Sequence, residues 1–455
     1  MKENVLGTER VGKLMAKFAI PSIVAMMVSA VYNMADQLFI GNAVGTLGNA
    51  ATSVAFPLSM LCTSLALMFG IGGASSFNLS MGEGKTEDAP YYVGNAITML
   101  LSVGVLLFVL TEIFLTPMLL GFGSSASVLP LAKQYVSITA IGFPFLIITV
   151  GGGHLIRADG SPRMTMICNA SGAIINIILD ALFVLVFRWG MVGAAAATII
   201  GQIFSGILAI SYLTHYRTVK VEKRHLIPRK SYLLQIMSLG VASFCNQLAM
   251  MIVQITVNNL LRYYGAQSPY GEDIPIACAG IVTKVNQLYF SVIIGLSQGS
   301  QPIESYNYGA RKFHRVKEAY RLAIMVGGSV SLIAFALFQF FPRQILALFQ
   351  SGSEEYFAFG IKYFKVFLFF TWLNCMQPIT STFFTSIGKA YKGTFLALTR
   401  QIIFLLPLFL ILPKFMGIDG ILYAGPIGDA LAFCVAVGMV IREMNHINQL
   451  EKQVS

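Results

Sequence analysis

Charge is the scarcest property of this 455-residue chain: only 11% of its residues are Asp, Glu, Lys or Arg, against roughly 25% in ordinary soluble domains. That shortage excludes a water-soluble globular fold. Histidine is also scarce, and of His154, His215, His225, His314 and His446 only His154 falls in an apolar stretch, near its end. The six cysteines (Cys62, Cys168, Cys245, Cys278, Cys375, Cys434) form no CxxC and have no neighbouring histidine pair. Zinc and dithiol motifs are thereby excluded, and free thiols inside apolar spans are expected. No HExxH or GxSxG occurs, and a membrane-embedded enzyme would need a nucleophile and base, or metal ligands, at one depth. The expectation is not an enzyme and no cofactor. The basic N-terminus is not followed by a short apolar region with a small-residue cleavage site, so the first span is expected to be retained.

What the chain has instead is apolar length. Hydrophobic residues make up 56% and the mean hydropathy is +0.72. Apolar runs fall at 14–42, 54–80, 91–116, 134–156, 164–187, 191–213, 233–261, 276–303, 320–341, 363–387, 394–412 and 417–441, and about 20 residues suffice to cross a bilayer as a helix. An all-α integral membrane protein with twelve transmembrane helices is expected.

The net charge of +11 suggests nucleic acid until the charges are placed. With twelve spans and both termini on one side, 22 of the 31 Lys and Arg fall on that side. This bias fixes a multi-pass topology in the cytoplasmic membrane with both termini cytoplasmic. It also assigns the basic loops to anionic membrane lipids, and no nucleic acid is expected.

Short motifs recur at a nearly fixed offset. Gly72 and Gly82 return as Gly299 and Gly309, and Gly190, Gly193 and Gly201 as Gly417, Gly420 and Gly428, all at one identical offset. Tyr135 and Gly160 return as Tyr363 and Gly388, at an offset longer by a single position. Colinear landmarks of this kind mark a duplication, and parallel repeats with an even number of spans each are related about an axis along the membrane normal. The division is residues 1–216 (helices 1–6), a basic cytoplasmic linker at 217–231, and 232–455 (helices 7–12). The linker is the longest polar stretch between spans and reads as a solvated hinge, with alternating access in the cavity between the lobes.

Polar side chains inside spans are costly and point to function. Asn176 and Asp180 stand four apart on the fifth helix, on one face. Thr198 lies eight residues beyond the turn at Gly190 and Asp180 ten before it, so the two reach a similar depth, as does Asp36 near the outer end of the first span. Two carboxylates, an amide and a hydroxyl offer hard oxygen ligands to a small cation such as Na+, or a place for a proton; the alternative is hydrogen bonding between helices. On the seventh helix Gln247, Gln254 and Asn258 share a face beside Asn246, and with Asn286, Gln287, Asn374 and Gln377 they suit either a substrate path or inter-helix hydrogen bonds. Lys284, Glu304 and Arg400 are charges that either pair internally or line the cavity, with Glu304 close enough to the cytoplasmic end to be hydrated. Glu112 and Asp429 read as structural or interfacial. The 21 methionines offer an adaptable apolar wall, though a methionine in a span is more often packed or facing lipid.

The segments FAIPSIVAMMVSAVYNMADQLFIG from Phe18, GEGKTEDA from Gly82, RADGSPR from Arg157, NIILDALF from Asn176, GMVGAAAATIIGQ from Gly190 and SQGSQPIESYNYGA from Ser297 run through the chain in the order found in the multidrug and toxic compound extrusion (MATE) family. The whole chain resembles that family, in its DinF-type branch. The resemblance implies two six-helix lobes around a central V-shaped cavity, and export of cationic or amphipathic small molecules driven by inward Na+ or H+. It also implies a cation site in the N-lobe made by Asp36, Asn176, Asp180 and Thr198. Other branches carry acidic residues on the seventh and tenth helices, where this chain has Asn246 and Asn374. A monomer is expected. The rival reading is a lipid-linked oligosaccharide flippase of related two-lobed fold, which would need several cavity cations for pyrophosphate, and only Lys284 and Arg400 lie within spans.

Overall fold

The computed structural model describes residues 5–44, 46–122, 124, 126–271, 273–349 and 354–454. Among them eleven helices are long and apolar enough to cross a membrane, or twelve when one bent pair is counted as a single span. The first half contains α1 (Val11–Val44), α2 (Thr46–Gly82), α3 (Ala89–Ile113), the bent α4 (Leu129–Ile141 and Phe143–Ala158), α5 (Pro162–Val186) and α6 (Gly190–Leu213). The second contains α7 (Lys230–Ala266), α8 (Asp273–Gly309), α9 (Phe313–Phe340), α10 (Glu354–Ser386), α11 (Ala390–Met416) and α12 (Ile418–Val454).

The irregularities have local causes. α4 bends by 54° at Gly142, where Pro144 lacks the N–H that residue 140 would bond and crowds that turn. α10 is interrupted between Phe367 and Met376, and Pro378 likewise leaves the Asn374 carbonyl without its helical donor. α5 and α11 each pass into a π-turn, at Ala181–Val186 and Thr399–Leu405.

The repeat seen in the sequence reappears as backbone conformation. Gly190 and Gly417 both take positive φ (56° and 60°) at the tight turns before α6 and α12, and Gly160 and Gly388 both take 81°. Arg311 is the second-half counterpart of Gly84 at the offset that relates the glycines, and it copies that left-handed turn, with φ of 55° against 80°, a conformation that disfavours a side chain.

Two hydrophobic clusters form the two lobes. One gathers α2–α6 with Ile236 of α7; the other gathers α8–α12 with the outer part of α7 and with Leu14, Met15, Phe18 and Ala19 of α1. α1 and α7 thus each cross into the opposite lobe at the end of the bundle that carries both termini and the basic loops, hereafter the basic end. The lobes meet there so closely that only glycine fits: a Cβ on Gly72 would lie 1.9 Å from the Ile236 carbonyl oxygen, on Gly240 1.8 Å from that of Met68, and on Gly299 2.5 Å from the Ala19 Cα. α2 and α8 cross at Gly82 and Gly309, and Gln301 donates to Ser75 Oγ at 2.8 Å. Toward the other end of α7 Gln254 is half-buried and Asn258 exposed, and Gln254 Nε2 donates to Asn258 Oδ1 at 3.1 Å.

The linker is not the free hinge its composition suggests. Asp159 accepts from the Arg217 and Thr218 amides at 2.9 and 2.8 Å. Asn95 of α3 donates to the His225 and Ile227 carbonyls and accepts from the Arg229 amide, and the Arg229 guanidinium lies over the Tyr91 ring. His225 is buried, its Nδ1 accepting from the Glu222 amide at 2.9 Å, and burial holds its imidazole below the ordinary histidine range. The segment is docked on the first lobe because backbone groups that a free loop gives to water find side chains of that lobe instead.

Candidate functional site

The four predicted site residues of the first lobe come together. Asn176 and Asp180 sit one turn apart on α5, and the π-turn begins immediately after Asp180. Thr198 enters from α6 and Asp36 from α1. Asp180 is 0% exposed, Asn176 2% and Thr198 5%, so the cluster lies deep within the lobe. Asn176 Nδ2 donates to Thr198 Oγ1 at 3.3 Å, and the Asp36 and Asp180 carboxyls approach within hydrogen-bonding reach of each other.

Two further residues complete the cluster. The Tyr32 and Tyr135 hydroxyls both reach Thr198, beside the two carboxyls. Tyr32 lies four residues before Asp36 on α1, a spacing that would have disclosed it; Tyr135 stood out only as a repeat landmark.

The chemistry of the site follows from what is missing. Asp36 Oδ1, Asn176 Oδ1 and both Asp180 oxygens are buried without a hydrogen-bond partner. Four orphaned acceptors in a low-dielectric interior are costly, and no donor among the described residues answers them. A small cation supplies what such a set lacks: hard oxygens suit Na+, and a proton shared between the carboxyls is the other solution. The donor set therefore fits a monovalent cation.

The polar groups of the second half sort differently. Gln247 donates to Met60 Sδ at 2.9 Å across the lobes, Gln254 is half-buried and Asn258 exposed, and Asn286 Oδ1 is buried without a partner. Asn374 is not a free lining group: its Nδ2 donates to Asp429 Oδ2 at 2.9 Å, while Arg400 Nε donates to Asp429 Oδ1 at 2.6 Å. The break in α10 turns Asn374 toward α12, and Arg400 on the π-turn of α11 completes a closed ion pair. Glu304 is not hydrated at the basic end as expected but 0% exposed. Cys434 is exposed and Cys245 half-buried; the other four cysteines are buried, and all six are free.

A two-lobed helical bundle whose lobes meet at one end and whose first lobe encloses a cluster with four unpartnered oxygens defines a multi-pass membrane transporter. A family model described as MatE matches residues 21–182 and 238–410, and the chain belongs to that family, whose members are transporters and not enzymes. It is 23% identical over 436 residues to the multidrug export protein MepA of Staphylococcus haemolyticus (strain JCSC1435), covering 96% of this chain and 94% of that protein. It is likewise 23% identical over 432 residues to MepA of Staphylococcus aureus (strain MSSA476), covering 94% and 93%. The fold is that of a multidrug resistance MATE family transporter of the MOP superfamily solved in an outward-facing conformation (TM-score 0.90, 22% identity, 99% of both chains covered). A MOP superfamily transporter from Pyrococcus furiosus, for which the reverse polarity of the binding pocket suggests a different function, has the same TM-score of 0.90 at 22% identity, with 98% and 99% covered.

Proposed function

We propose that this protein exports cationic or amphipathic small molecules from the cell in exchange for inward Na+ or H+, coupled at Asp36, Asn176, Asp180 and Thr198. The single observation that carries this reading is the set of four buried, unpartnered oxygens in that cluster. An ion entering along its gradient answers those oxygens and biases the packing of α1, α5 and α6, and α1 is the helix that crosses into the other lobe. Exchange follows if ion and drug favour different states or compete for one. Tyr32 and Tyr135 hold Thr198 in place from α1 and α4.

In this reading the basic end is cytoplasmic, both termini lie there, and the conformation described opens outward from the cytoplasmic membrane. Residues 1–216 and 232–455 are the lobes, with 217–231 a linker docked on the first. Gln247, Gln254, Asn258 and Asn286 line the drug path, Asn374 serves it only through Asp429, membrane lipids surround a monomer, and no prosthetic group takes part. The flippase reading loses support because Arg400 is consumed by Asp429, leaving Lys284 alone for a pyrophosphate. The test is purified protein in lipid vesicles: imposing a Na+ or pH gradient should drive efflux of the fluorescent cation ethidium. A rate equal to that of empty vesicles under both gradients refutes the proposal.

A further inference from the structure

Glu304 on α8 is 0% exposed, and neither of its carboxyl oxygens has a hydrogen-bond partner. Two hydroxyls approach it, Ser300 from one turn earlier on α8 and Ser386 from the end of α10, but each also has a backbone carbonyl of its own helix to bond. Ser300 Oγ donates to the Ser297 carbonyl at 2.9 Å and Ser386 Oγ to that of Thr382 at 2.8 Å. A hydroxyl has one hydrogen to give, so each serves an ionised Glu304 only by giving up its backbone carbonyl. Tyr320, reaching in from α9, is engaged with Thr380 Oγ1 at 2.8 Å.

Among the described residues no cation compensates the carboxyl. Lys389 and Lys392 both close on Glu443 of α12. Lys312 and Arg315 bind the backbone carbonyls of Leu6, Gly7 and Glu9, and Lys13 of α1 pairs with Glu9. From α4, His154 meets Gln301 and Arg157, on the side of α8 that faces the first lobe, and the stretch 70–82 of α2 holds no ionisable residue. An ionised carboxylate buried without a counter-charge is strongly disfavoured. A carboxylic acid supplies the one missing donor and removes the charge.

The lobe architecture does not require an acid at this place. Glu304 is the second-half counterpart of Phe77, at the same offset that relates Gly72 to Gly299 and Gly82 to Gly309. Phe77 is an ordinary core residue, 1% exposed and edge-on to Tyr216. The second half has a titratable group where the first has a phenyl ring. It sits on the stretch of α8 that closes the basic end, between Gly299, packed on α1, and Gly309, packed on Gly82.

We propose that Glu304 is a second proton-binding site, distinct from the first-lobe cluster. It carries a proton in the conformation described and releases it when α8 shifts against α9 and α10 and water enters between them from the basic end. The step moves one proton between the carboxyl and water and breaks no other bond. Protonation of Glu304 stands independently of the antiport reading; only the direction in which its proton travels rests on that reading.

The test is infrared difference spectroscopy of the full chain in lipid, titrated from acidic to alkaline pH. A protonated-carboxyl C=O band should persist in Asp180→Asn and vanish in Glu304→Gln, a neutral isostere that keeps the packing. Adding Na+ at constant pH to Asp180→Asn, in which the first-lobe cluster is disabled, should leave the band unchanged. A spectrum of Glu304→Gln identical to wild type, or loss of the Glu304 band of Asp180→Asn on adding Na+, overturns the proposal, the latter in favour of a metal-cation site. Should Glu304→Gln not fold, Glu304→Met, of similar volume, is the second variant, and the Na+ arm on Asp180→Asn decides between proton and metal cation. Failure of gradient-driven efflux in wild-type vesicles would remove the antiport reading and leave this band in place.

Discussion

Adding a single methyl group at Gly72 should open the basic end. A Cβ there would stand 1.9 Å from the Ile236 carbonyl oxygen, whereas ordinary contact begins at 3.4 Å, so α7 must retreat by about 1.5 Å. The obstacle is backbone of a continuous helix, with no rotamer to turn aside. Overpacking of this kind costs about 1–3 kcal/mol, and the helix propensity gained on replacing glycine with alanine is common to both facing states and cancels. A penalty of about 1–3 kcal/mol falls on the closed basic end alone and shifts the balance between facing states by roughly 5- to 150-fold. Spin labels at Glu87 and His314, exposed on opposite lobes at that end, should report a longer distance in Gly72→Ala by pulsed dipolar spectroscopy. Gly328→Ala, where an added Cβ meets nothing within 4 Å, is the control and should leave the distribution unchanged. An unaltered distribution in folded Gly72→Ala would refute the view that the glycine crossings hold the lobes together.

Asp429→Asn should lower thermal stability by about 3–5 kcal/mol, the usual cost of stranding one partner of a buried ion pair, and adding Arg400→Met should recover most of it; equal melting temperatures for wild type and the single variant would contradict the pairing. Asn95→Ala should free the docked linker, read as faster tryptic cleavage at Lys223 and Arg224, and unchanged cleavage would count against docking. The linker should also loosen as pH falls. The His225 imidazole is held below its ordinary range, so its contribution to docking is complete above about pH 6.5 and fades as the pH drops below that value. His225→Gln should abolish this pH dependence of cleavage.

The sequence is most legible where lipid imposes the rule. Apolar length, the placement of basic residues and the constant offset between the halves disclose the helices and the duplication, because a bilayer forces long apolar spans and a duplicated chain keeps its turn glycines. The first-lobe cluster is legible for the same reason: Asn176 and Asp180 share a helix, and the tight turn at Gly190 fixes the depth of Thr198. Tyr135 is not legible, since its approach to Thr198 depends on the bend that Pro144 puts into α4. The fate of Asn374 and Arg400 depends on a broken helix and a π-turn, which shift side-chain direction without changing composition. The linker misleads because its charges resemble a solvated loop, while its docking is made by its backbone groups against Asp159 and Asn95 and by Arg229 over Tyr91. Glu304 misleads in the opposite sense: counting residues from the end of α8 places it near water, but the face on which it lies turns into the second lobe.

The most direct test of the coupling site is Asp180→Asn, which keeps the shape of the side chain and removes its charge. At wild-type abundance in vesicles, it should fold and insert yet lose gradient-driven ethidium efflux under both Na+ and pH gradients. Efflux at the wild-type rate, with unchanged dependence on Na+ and pH, would contradict the account.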